Sequence, residues 1–392
     1  MRKMANGLLE RMLVEAEQKL IPFGLLIEIT HRCNFDCVHC YQAHQHHPTR
    51  AELTTADWIA VLDQARALGT FFLTISGGEM LVRRDWFAIA QHGRALGLAL
   101  RMYSNGALIT EQVADQMATL DPIAVEVSVY SHQSAVFEDV TQRRGSFART
   151  LQGIKLLRER NLPVSIKTPI MQQNIDHYQA LIALAEELGA YYSFDPTLFP
   201  RNDGDLTPLQ YQVDLRQLAV LYQDPALYDA PCTISGQDFE AIMNAAPCGS
   251  GRRICVVDPY GEVYGCLQML RSNGNVREQG LAEIWWHGAT FQETRSKLRK
   301  DLVRCAACPG PPYCHPCMGL SLMEHGSIVG KSQIACRQNQ LRYQRAQAEQ
   351  GIVVAVPESA ASERYQAPAQ VTPLTLLSRE QFRATRPPAP TE

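Results

Sequence analysis

Apolar residues recur along the first half of the chain in two alternating patterns. Short apolar runs of five to seven residues predict strands over 25–30, 71–76, 99–103, 123–129, 164–170 and 191–195. Between these runs, apolar residues spaced three and four apart predict helices over 54–68, 85–96, 110–120, 146–161 and 175–188. Strands that alternate with helices form parallel sheets, because a parallel pair needs a crossover connection. The pattern therefore predicts an α/β fold with helices outside a parallel sheet.

The patterning divides the chain into five segments. These are an N-terminal helix (1–22), an α/β core (23–200), a bridging helical segment (201–246), a cysteine-rich unit (247–348) and a proline-rich tail (349–392). In the first segment Leu8, Leu9, Met12, Leu13 and Ala16 share one helical face. The bridge is predicted to be helical around 209–222. The cysteine-rich unit contains a predicted hairpin over 256–264 and a helix over 338–348, and the tail is predicted to be mostly disordered.

Composition and charge exclude several classes of function. The 392 residues carry a formal net charge of -3, so nothing favours bulk attraction to nucleic acid. No apolar run approaches the roughly 20 residues that a membrane span needs, and the N-terminus lacks an apolar signal core. We therefore expect a cytoplasmic protein. Twelve cysteines in such a chain favour metal ligation over disulfides.

Three cysteines lie on one short loop directly after the first predicted strand. Three residues separate Cys33 from Cys37, and two separate Cys37 from Cys40. Three thiolates can hold three corners of a cubane iron–sulfur cluster, which leaves the fourth iron without a protein ligand. An open coordination position is typical of catalytic metal sites, so the loop predicts catalysis. The alternative is a zinc loop, but zinc favours four ligands in paired Cys-x2-Cys spacing.

The Cys-x3-Cys-x2-Cys loop resembles the signature of the radical S-adenosylmethionine (SAM) enzymes. Gly77-Gly78-Glu79, at the end of the second predicted strand, resembles that family's Gly-Gly-Glu motif, whose glycines allow close approach and supply unpaired amides. Ser104-Asn105-Gly106 resembles the family's strand-end Thr-Asn-Gly, and Ser128 ends a strand that resembles its fourth. The resemblance assigns SAM contacts to Gly77, Gly78, Glu79, Ser104, Asn105, Ser128 and Arg143, with Arg149 as the alternative arginine.

The resemblance implies a fold and a chemistry. The fold would be a partial (β/α)6 TIM-like barrel, with the cluster at the carboxyl ends of the strands. Cys33, Cys37 and Cys40 would hold a [4Fe–4S] cluster whose open iron binds SAM. One electron, from a ferredoxin or flavodoxin-type donor, would cleave SAM to a 5′-deoxyadenosyl radical that removes hydrogen from carbon. The residue that acts on the substrate radical is not identified by any motif.

A second array of cysteines follows position 247. Twelve residues separate Cys248 from Gly261 and four separate Gly261 from Cys266, after which come Cys305-x2-Cys308-x5-Cys314-x2-Cys317 and Cys336. This resembles the SPASM extension of peptide-modifying radical SAM enzymes. One spacing departs: that pattern has three residues between its fifth and sixth cysteines, whereas only His315 and Pro316 separate Cys314 from Cys317 here. In isolation the paired cysteines would fit a zinc site.

The SPASM resemblance implies two auxiliary [4Fe–4S] clusters. One would be held by Cys305, Cys308, Cys314 and Cys336. The other would be held by Cys248, Cys266 and Cys317, and its fourth ligand would be Cys232 or Cys255, or the position would be open. Cys255 lies in an apolar strand, where a small buried hydrophobe is the ordinary role for cysteine.

The resemblance predicts a maturase that acts on a ribosomally made precursor peptide. It would form a crosslink in the peptide, oxidise it, decarboxylate it or excise part of it. The first strand starts soon after residue 20, so we expect a separate peptide-recognition protein rather than a fused recognition domain. Three alternatives are a haem or tetrapyrrole side-chain decarboxylase, an anaerobic sulfatase-maturating enzyme and a non-catalytic iron–sulfur or zinc redox scaffold. The second is disfavoured because Leu267 follows Cys266 where those enzymes typically have aspartate.

Overall fold

A computed structural model describes residues 6–42, 50–224, 227, 239–302 and 314–349. The predicted disordered tail beyond residue 349 lies outside these ranges, as do Cys232, Cys305 and Cys308. Within the described residues, no helix is long and apolar enough to cross a membrane.

The described strands form one sheet in the order β6-β5-β4-β3-β2-β1-β7-β8. They are β1 (Gly24–Glu28), β2 (Phe72–Ser76), β3 (Ala99–Ser104), β4 (Ala124–Ser128), β5 (Val164–Pro169), β6 (Tyr191–Asp195), β7 (Ile254–Val257) and β8 (Val263–Tyr264). Every neighbouring pair is parallel except β7 and β8, which form an antiparallel hairpin. The predicted parallel α/β sheet is therefore confirmed.

Helices connect successive strands of the core, and others precede β1 or follow β8. In the first half they are α1 (Asn6–Gln18), α2 (Thr55–Ala67), α3 (Trp86–Ala95), α4 (Glu111–Leu120), α5 (Ser134–Thr141), α6 (Ser146–Glu159) and α7 (Tyr178–Glu187). In the second half they are α8 (Leu215–Gln223), α9 (Phe239–Met243), α10 (Leu281–His287), α11 (Ala289–Arg295), α12 (Met318–His325) and α13 (Gln333–Glu349). Thr54 is the N-cap of α2, since its hydroxyl accepts a hydrogen bond from the Asp57 amide.

Several details differ from the sequence prediction. Strand β1 ends at Glu28 rather than at residue 30, because Thr30 already belongs to the cysteine loop. Helix α5 was missed because it is only eight residues long. The predicted helix over 209–222 is divided into a 3-10 turn (Thr207–Tyr211) and α8, and α13 begins five residues before the predicted position. The apolar face of α1 is only partly covered, since Ala16 is buried whereas Leu8 is 65% exposed.

The two faces of the sheet differ sharply in polarity. Leu73 and Leu100 are buried on the helix side, where Gly93 of α3 lets the helix approach both side chains. The register places Thr74 beside Arg101, on the opposite, inward face. The inward side chains are mostly polar, small or half-exposed: Thr74, Arg101, Tyr103, Glu126, Ser165 and Lys167. A closed TIM barrel fills its interior with bulky apolar residues, whereas this face is largely polar and partly accessible to solvent.

The hairpin of the cysteine-rich unit extends the sheet of the core. Strand β7 pairs in parallel with β1, with Leu25 opposite Cys255 and Ile27 opposite Val257. Hydrogen bonds reinforce this join, because the Gly24 amide donates to the Arg253 carbonyl at 2.9 Å. The hairpin is thus continuous with the strand that leads into the first cysteine loop.

Candidate active site

The cysteine loop lies against the carboxyl ends of the central strands. It begins directly after β1, and backbone hydrogen bonds fix its middle: the Asp36 amide donates to the Thr141 carbonyl at 3.1 Å and the Val38 amide to the Val140 carbonyl at 3.0 Å. Both acceptors lie at the end of α5. The helix that the sequence analysis missed therefore supports the predicted cluster loop.

The two glycines of the Gly77-Gly78-Glu79 motif bring the end of β2 against this loop. Gly77 has a φ of 139°, and a Cβ atom there would collide with the Thr30 carbonyl oxygen. The Gly78 amide donates to Thr30 at 2.8 Å, and the Glu79 amide donates to the Arg32 carbonyl at 2.9 Å. We expected the two glycines to supply unpaired amides, and for Gly78 that expectation is wrong. The close approach that the glycines permit is to the cysteine loop itself.

Glu79 is a buried carboxylate that contacts two of the other predicted SAM-binding residues. It accepts hydrogen bonds from the Ser104 hydroxyl at 2.9 Å, the Asn105 amide at 2.6 Å and the Leu81 amide at 3.1 Å. Burial raises the pKa of Glu79 to about 6 despite these donors. All three donors are neutral, so a ligand with a positively charged group, such as the amine of SAM, would complete this environment.

Asn105 connects the end of β3 to the cysteine loop. Its side-chain amide donates to Asn34 Oδ1 at 2.7 Å and lies 3.9 Å from Cys33 Sγ. Its own oxygen accepts the Ala107 amide at 3.0 Å. Asn34 was not predicted as a site residue, although its place between the cysteines was a signal that it would lie near the cluster.

The remaining predicted SAM contacts lie at the same edge of the sheet. The Ser128 side chain hydrogen-bonds to Tyr130, whose hydroxyl lies 3.7 Å from Cys37 Sγ. Arg143 and Arg149 are both exposed, and Arg143 lies two residues beyond Thr141, which contacts the loop. Both arginines thus stay candidates for the same role.

A buried carboxylate that the motif analysis missed ties the end of the cysteine loop to β1. Glu28 accepts hydrogen bonds from the Tyr41 hydroxyl at 2.9 Å and the Gln42 side chain at 2.6 Å, and His31 Nε2 lies 3.3 Å away. Burial alone would raise the pKa of Glu28, but these partners outweigh it and hold the pKa below its usual value. A single glutamate inside the apolar run 25–30 was the sequence signal.

The three thiols suit a cubane better than a single metal ion. Among the described residues, no three His, Cys, Asp or Glu side chains converge closely enough to hold one ion. A cubane binds each thiolate through a different iron, so such convergence is not required. Burial raises the pKa of Cys37 and raises that of Cys40 to about 11, so the thiolates need the positive charge of iron for stability.

The second array forms a separate group of thiols. The charges of Cys248, Cys266 and Cys317 interact with one another, and burial raises the pKa of Cys248 to about 11 and of Cys266 to about 12. Cys317 is the N-cap of α12, where its sulfur accepts the Leu320 amide at 3.4 Å. A helix N-terminus favours a thiolate. This trio is the one that the resemblance assigned to a single auxiliary cluster.

A cavity of about 350 Å³ adjoins this trio, and its cysteines are Cys314, Cys317 and Cys336. Asn339 also lines the cavity, and its side chain accepts the His315 amide at 3.0 Å and donates to the His315 carbonyl at 3.2 Å. Cys255 lies elsewhere: it is 2% exposed in the apolar core, where its charge would interact with Arg295. Its surroundings are those of a buried hydrophobe rather than a cluster ligand.

The α/β core and the cysteine-rich unit each match a known protein family. The family described as "Radical SAM superfamily" matches residues 27–185, and the "Iron-sulfur cluster-binding domain" named SPASM matches residues 248–309. The chain is a radical SAM enzyme with a SPASM domain. A [4Fe–4S] cluster and SAM are therefore its cofactors, and the SPASM domain binds further iron–sulfur clusters.

Three curated relatives align with both domains of this radical SAM enzyme. An AdoMet-dependent heme synthase of Methanosarcina barkeri is 28% identical over 77% of this chain and 93% of its own length. The mycofactocin maturase MftC of Mycolicibacterium smegmatis is 28% identical over 73% of this chain and 75% of its own length. A PqqA peptide cyclase of Xanthomonas campestris pv. campestris is 29% identical, with 74% and 79% covered.

Solved structures share the fold of this radical SAM enzyme. Streptococcus suis SuiB bound to the precursor peptide SuiA superposes with a TM-score of 0.65 at 18% identity, covering 83% of this chain and 79% of SuiB. The enzyme anSMEcpe with bound AdoMet superposes with a TM-score of 0.63 at 15% identity, covering 87% and 97%. At these identities the likeness establishes the fold alone.

Proposed function

We propose that this enzyme modifies a ribosomally made precursor peptide by radical chemistry. The observation that carries the proposal is similarity to a PqqA peptide cyclase and a mycofactocin maturase over 74% and 73% of this chain. When bound, the first cluster and SAM would supply the radical chemistry that removes hydrogen from an unactivated carbon. The modification would be a crosslink, an oxidation, a decarboxylation or an excision.

The chain's own residues would hold the cofactors and keep their geometry. Cys33, Cys37 and Cys40 would bind the cluster, while Glu79 would receive the amine of SAM. Glu28 holds the loop end through Tyr41 and Gln42, so the three thiolates keep fixed positions. Fixed geometry matters because productive reactions need reacting atoms aligned within about 3–3.5 Å.

The inward wall of the sheet is a candidate surface for the peptide. Glu126 lies 3.4 Å from both Arg101 Nε and Lys167 Nζ, and the Lys167 ammonium lies 4.4 Å from the centre of the Tyr103 ring. Lys167 also interacts with the charge of Asp195. Charged and aromatic groups of this kind recognise polar side chains and backbone carbonyls of a peptide better than an apolar substrate.

The primary experiment is co-expression with small peptides encoded nearby, followed by mass spectrometry of each peptide. We expect a mass change that requires the cluster and is absent when Cys37→Ala is co-expressed instead. An unchanged mass for every encoded peptide, with an enzyme that does cleave SAM, would contradict peptide maturation.

A variant of the wall tests where the peptide binds. Lys167→Met should raise the KM for the modified peptide at least about tenfold, the equivalent of one charge-assisted hydrogen bond. SAM binding should be unchanged. Lys155→Met is the matched control, since Lys155 is exposed on α6. Equal KM values for the two variants would exclude Lys167 from the peptide site.

A second candidate function is haem or tetrapyrrole side-chain decarboxylation. It is favoured by the similarity to the heme synthase, which covers 93% of that enzyme's length. Titration with iron coproporphyrin, followed by absorbance, separates the two candidates. A saturable spectral shift at micromolar concentration, and loss of side-chain carboxyl groups during turnover, would support this candidate and contradict peptide maturation.

We further propose two protein partners: a separate recognition protein that presents the peptide leader, and a ferredoxin or flavodoxin-type electron donor. Calorimetry with the peptide, in the presence and absence of the encoded adaptor, tests the first. Tight binding of the peptide without any adaptor would contradict it. Replacing dithionite by a purified reduced ferredoxin or flavodoxin in SAM-cleavage assays tests the second.

A further inference from the structure

Tyr130 is held in a fixed position beside one of the three loop cysteines. It lies two residues beyond the end of β4 and is 6% exposed. The His39 ring packs edge-on against its ring at a centroid distance of 4.9 Å, and the Phe137 ring packs at 5.4 Å. In addition, Asn174 donates to the Tyr130 carbonyl at 3.0 Å. Packing and backbone hydrogen bonding together leave this side chain little freedom.

The hydroxyl of Tyr130 faces Cys37. Its oxygen lies 3.7 Å from Cys37 Sγ, within hydrogen-bonding distance for sulfur. A protonated thiol can donate to this oxygen, but an iron-bound thiolate has no proton. In the cluster-loaded enzyme the phenol must therefore be the donor. The Ser128 hydroxyl is the second partner of the phenol, so Tyr130 can donate to sulfur and accept from serine at once.

A neighbouring strand presents a comparable donor to a different cysteine. The Asn105 side-chain amide lies 3.9 Å from Cys33 Sγ while it donates to Asn34. The ends of β3 and β4 thus each supply a polar group to the cysteine loop. Of the two groups, the Tyr130 hydroxyl is the closer to sulfur, and its removal alters no backbone contact.

We propose that Tyr130 is a positioning residue that donates a hydrogen bond to the Cys37 thiolate and raises the reduction potential of the SAM-binding cluster. Hydrogen bonds to cluster sulfurs withdraw electron density and thereby stabilise the reduced cluster. The energy needed to deliver the electron for SAM cleavage would then depend on this one phenol. The inference concerns the cluster alone and does not depend on which substrate the enzyme modifies.

The test is a redox titration of Tyr130→Phe in the full-length, anaerobically reconstituted enzyme without substrate. The reduced SAM-binding cluster is followed by electron paramagnetic resonance, and it is distinguished from the auxiliary clusters because only its signal changes when SAM is added. We expect its midpoint potential to shift to a lower value while the iron content stays that of the wild type. Tyr103→Phe is the matched control, since that phenol lies on the adjacent strand beside Lys167.

A second variant covers the case in which Tyr130→Phe loses the cluster. Replacing Tyr130 with a ring-fluorinated tyrosine keeps the shape and makes the hydroxyl a stronger donor, so the potential should shift to a higher value. Opposite shifts for the two replacements, with none for Tyr103→Phe, would support the proposal. An unchanged potential in the fluorinated protein, or equal shifts in Tyr130→Phe and Tyr103→Phe, would overturn it.

Discussion

The two cysteine arrays of this enzyme are built in opposite ways. The three cysteines of the first array lie within eight consecutive residues, and the ends of β2, β3 and β4 contact their loop from three sides. The second array extends from Cys248 to Cys336, with contributions from a hairpin, a helix N-cap and α13. The first site is thus a local loop held by a sheet, whereas the second exists only after distant segments have packed together.

This difference has a thermodynamic consequence. Closing a long loop costs more conformational entropy than closing a short one. Iron bound to the second array must therefore offset the entropy cost of ordering its distant segments, whereas the folded sheet already orders the first cysteine loop. We expect the SPASM thiols to depend more strongly on their clusters for local order than the first loop does.

The largest effect is expected for Cys37→Ala. It removes a ligand that no neighbouring thiol can replace, so the iron content should fall by about four atoms per chain and 5′-deoxyadenosine should no longer form. Cys255→Ala is the matched control, because that thiol lies in the apolar core, and it should keep all its iron. Retention of SAM cleavage by Cys37→Ala would contradict the assignment of the first loop.

The grouping of the second array is tested by combining variants. Cys317→Ala and Cys336→Ala should each remove about four iron atoms, and their double variant about eight, because the two residues are assigned to different clusters. Cys314→Ala combined with Cys336→Ala should lose no more iron than either alone. A double Cys317/Cys336 variant that loses only four would place both residues on one cluster. All these variants should still cleave SAM.

A smaller effect is expected at the contact between β2 and the first loop. A Cβ atom on Gly78 would lie 2.5 Å from the Arg32 carbonyl oxygen, so Gly78→Ala must displace the loop backbone. Overpacking of this kind costs about 1–3 kcal/mol of the free energy of unfolding. Chemical denaturation and iron analysis should reveal both the destabilisation and a poorly loaded first cluster. Gly7→Ala, where a Cβ meets nothing within 4 Å, should change neither quantity.

The smallest effect concerns the hairpin that joins the two arrays. Burial raises the pKa of Asp258 to about 6. The folded state then holds this proton more tightly than the unfolded state, so between about pH 4 and pH 6 stability should fall as pH rises. The slope contributed by this group cannot exceed about 1.4 kcal/mol per pH unit. Asp258→Asn should flatten the profile of melting temperature over this range, and an identical profile would contradict a raised pKa.

The sequence predicted which residues meet at the first cysteine loop, because their determinants are local. The spacing of Cys33, Cys37 and Cys40 is fixed by the chain itself, and Gly77-Gly78-Glu79 ends a strand whose apolar run was unmistakable. Parallel strands bring their carboxyl ends to one edge, so the approach of Glu79 to Ser104 and Asn105 followed from topology. The role of the Gly78 amide was misjudged, because sequence does not reveal that its partner is the backbone of the cysteine loop.

The features that sequence did not predict depend on contacts between distant segments. Pairing of β7 with β1 joins residues more than 200 positions apart, and no local pattern encodes that choice. The support that α5 gives to Asp36 and Val38 depends on two carbonyl groups, which every residue has. Glu28 was visible as an exception in an apolar strand, but its partners Tyr41 and Gln42 could be identified only from the folded loop.

The pairing of β7 with β1 also limits how this protein can be divided. A truncation before residue 247 would strip β1 of its outer neighbour and leave a row of unsatisfied backbone amides and carbonyls along the strand that feeds the first cysteines. Bare strands of this kind seek edges on other molecules and promote aggregation. Chimeras that exchange SPASM modules between barrels should therefore keep the native hairpin and place the junction after β8.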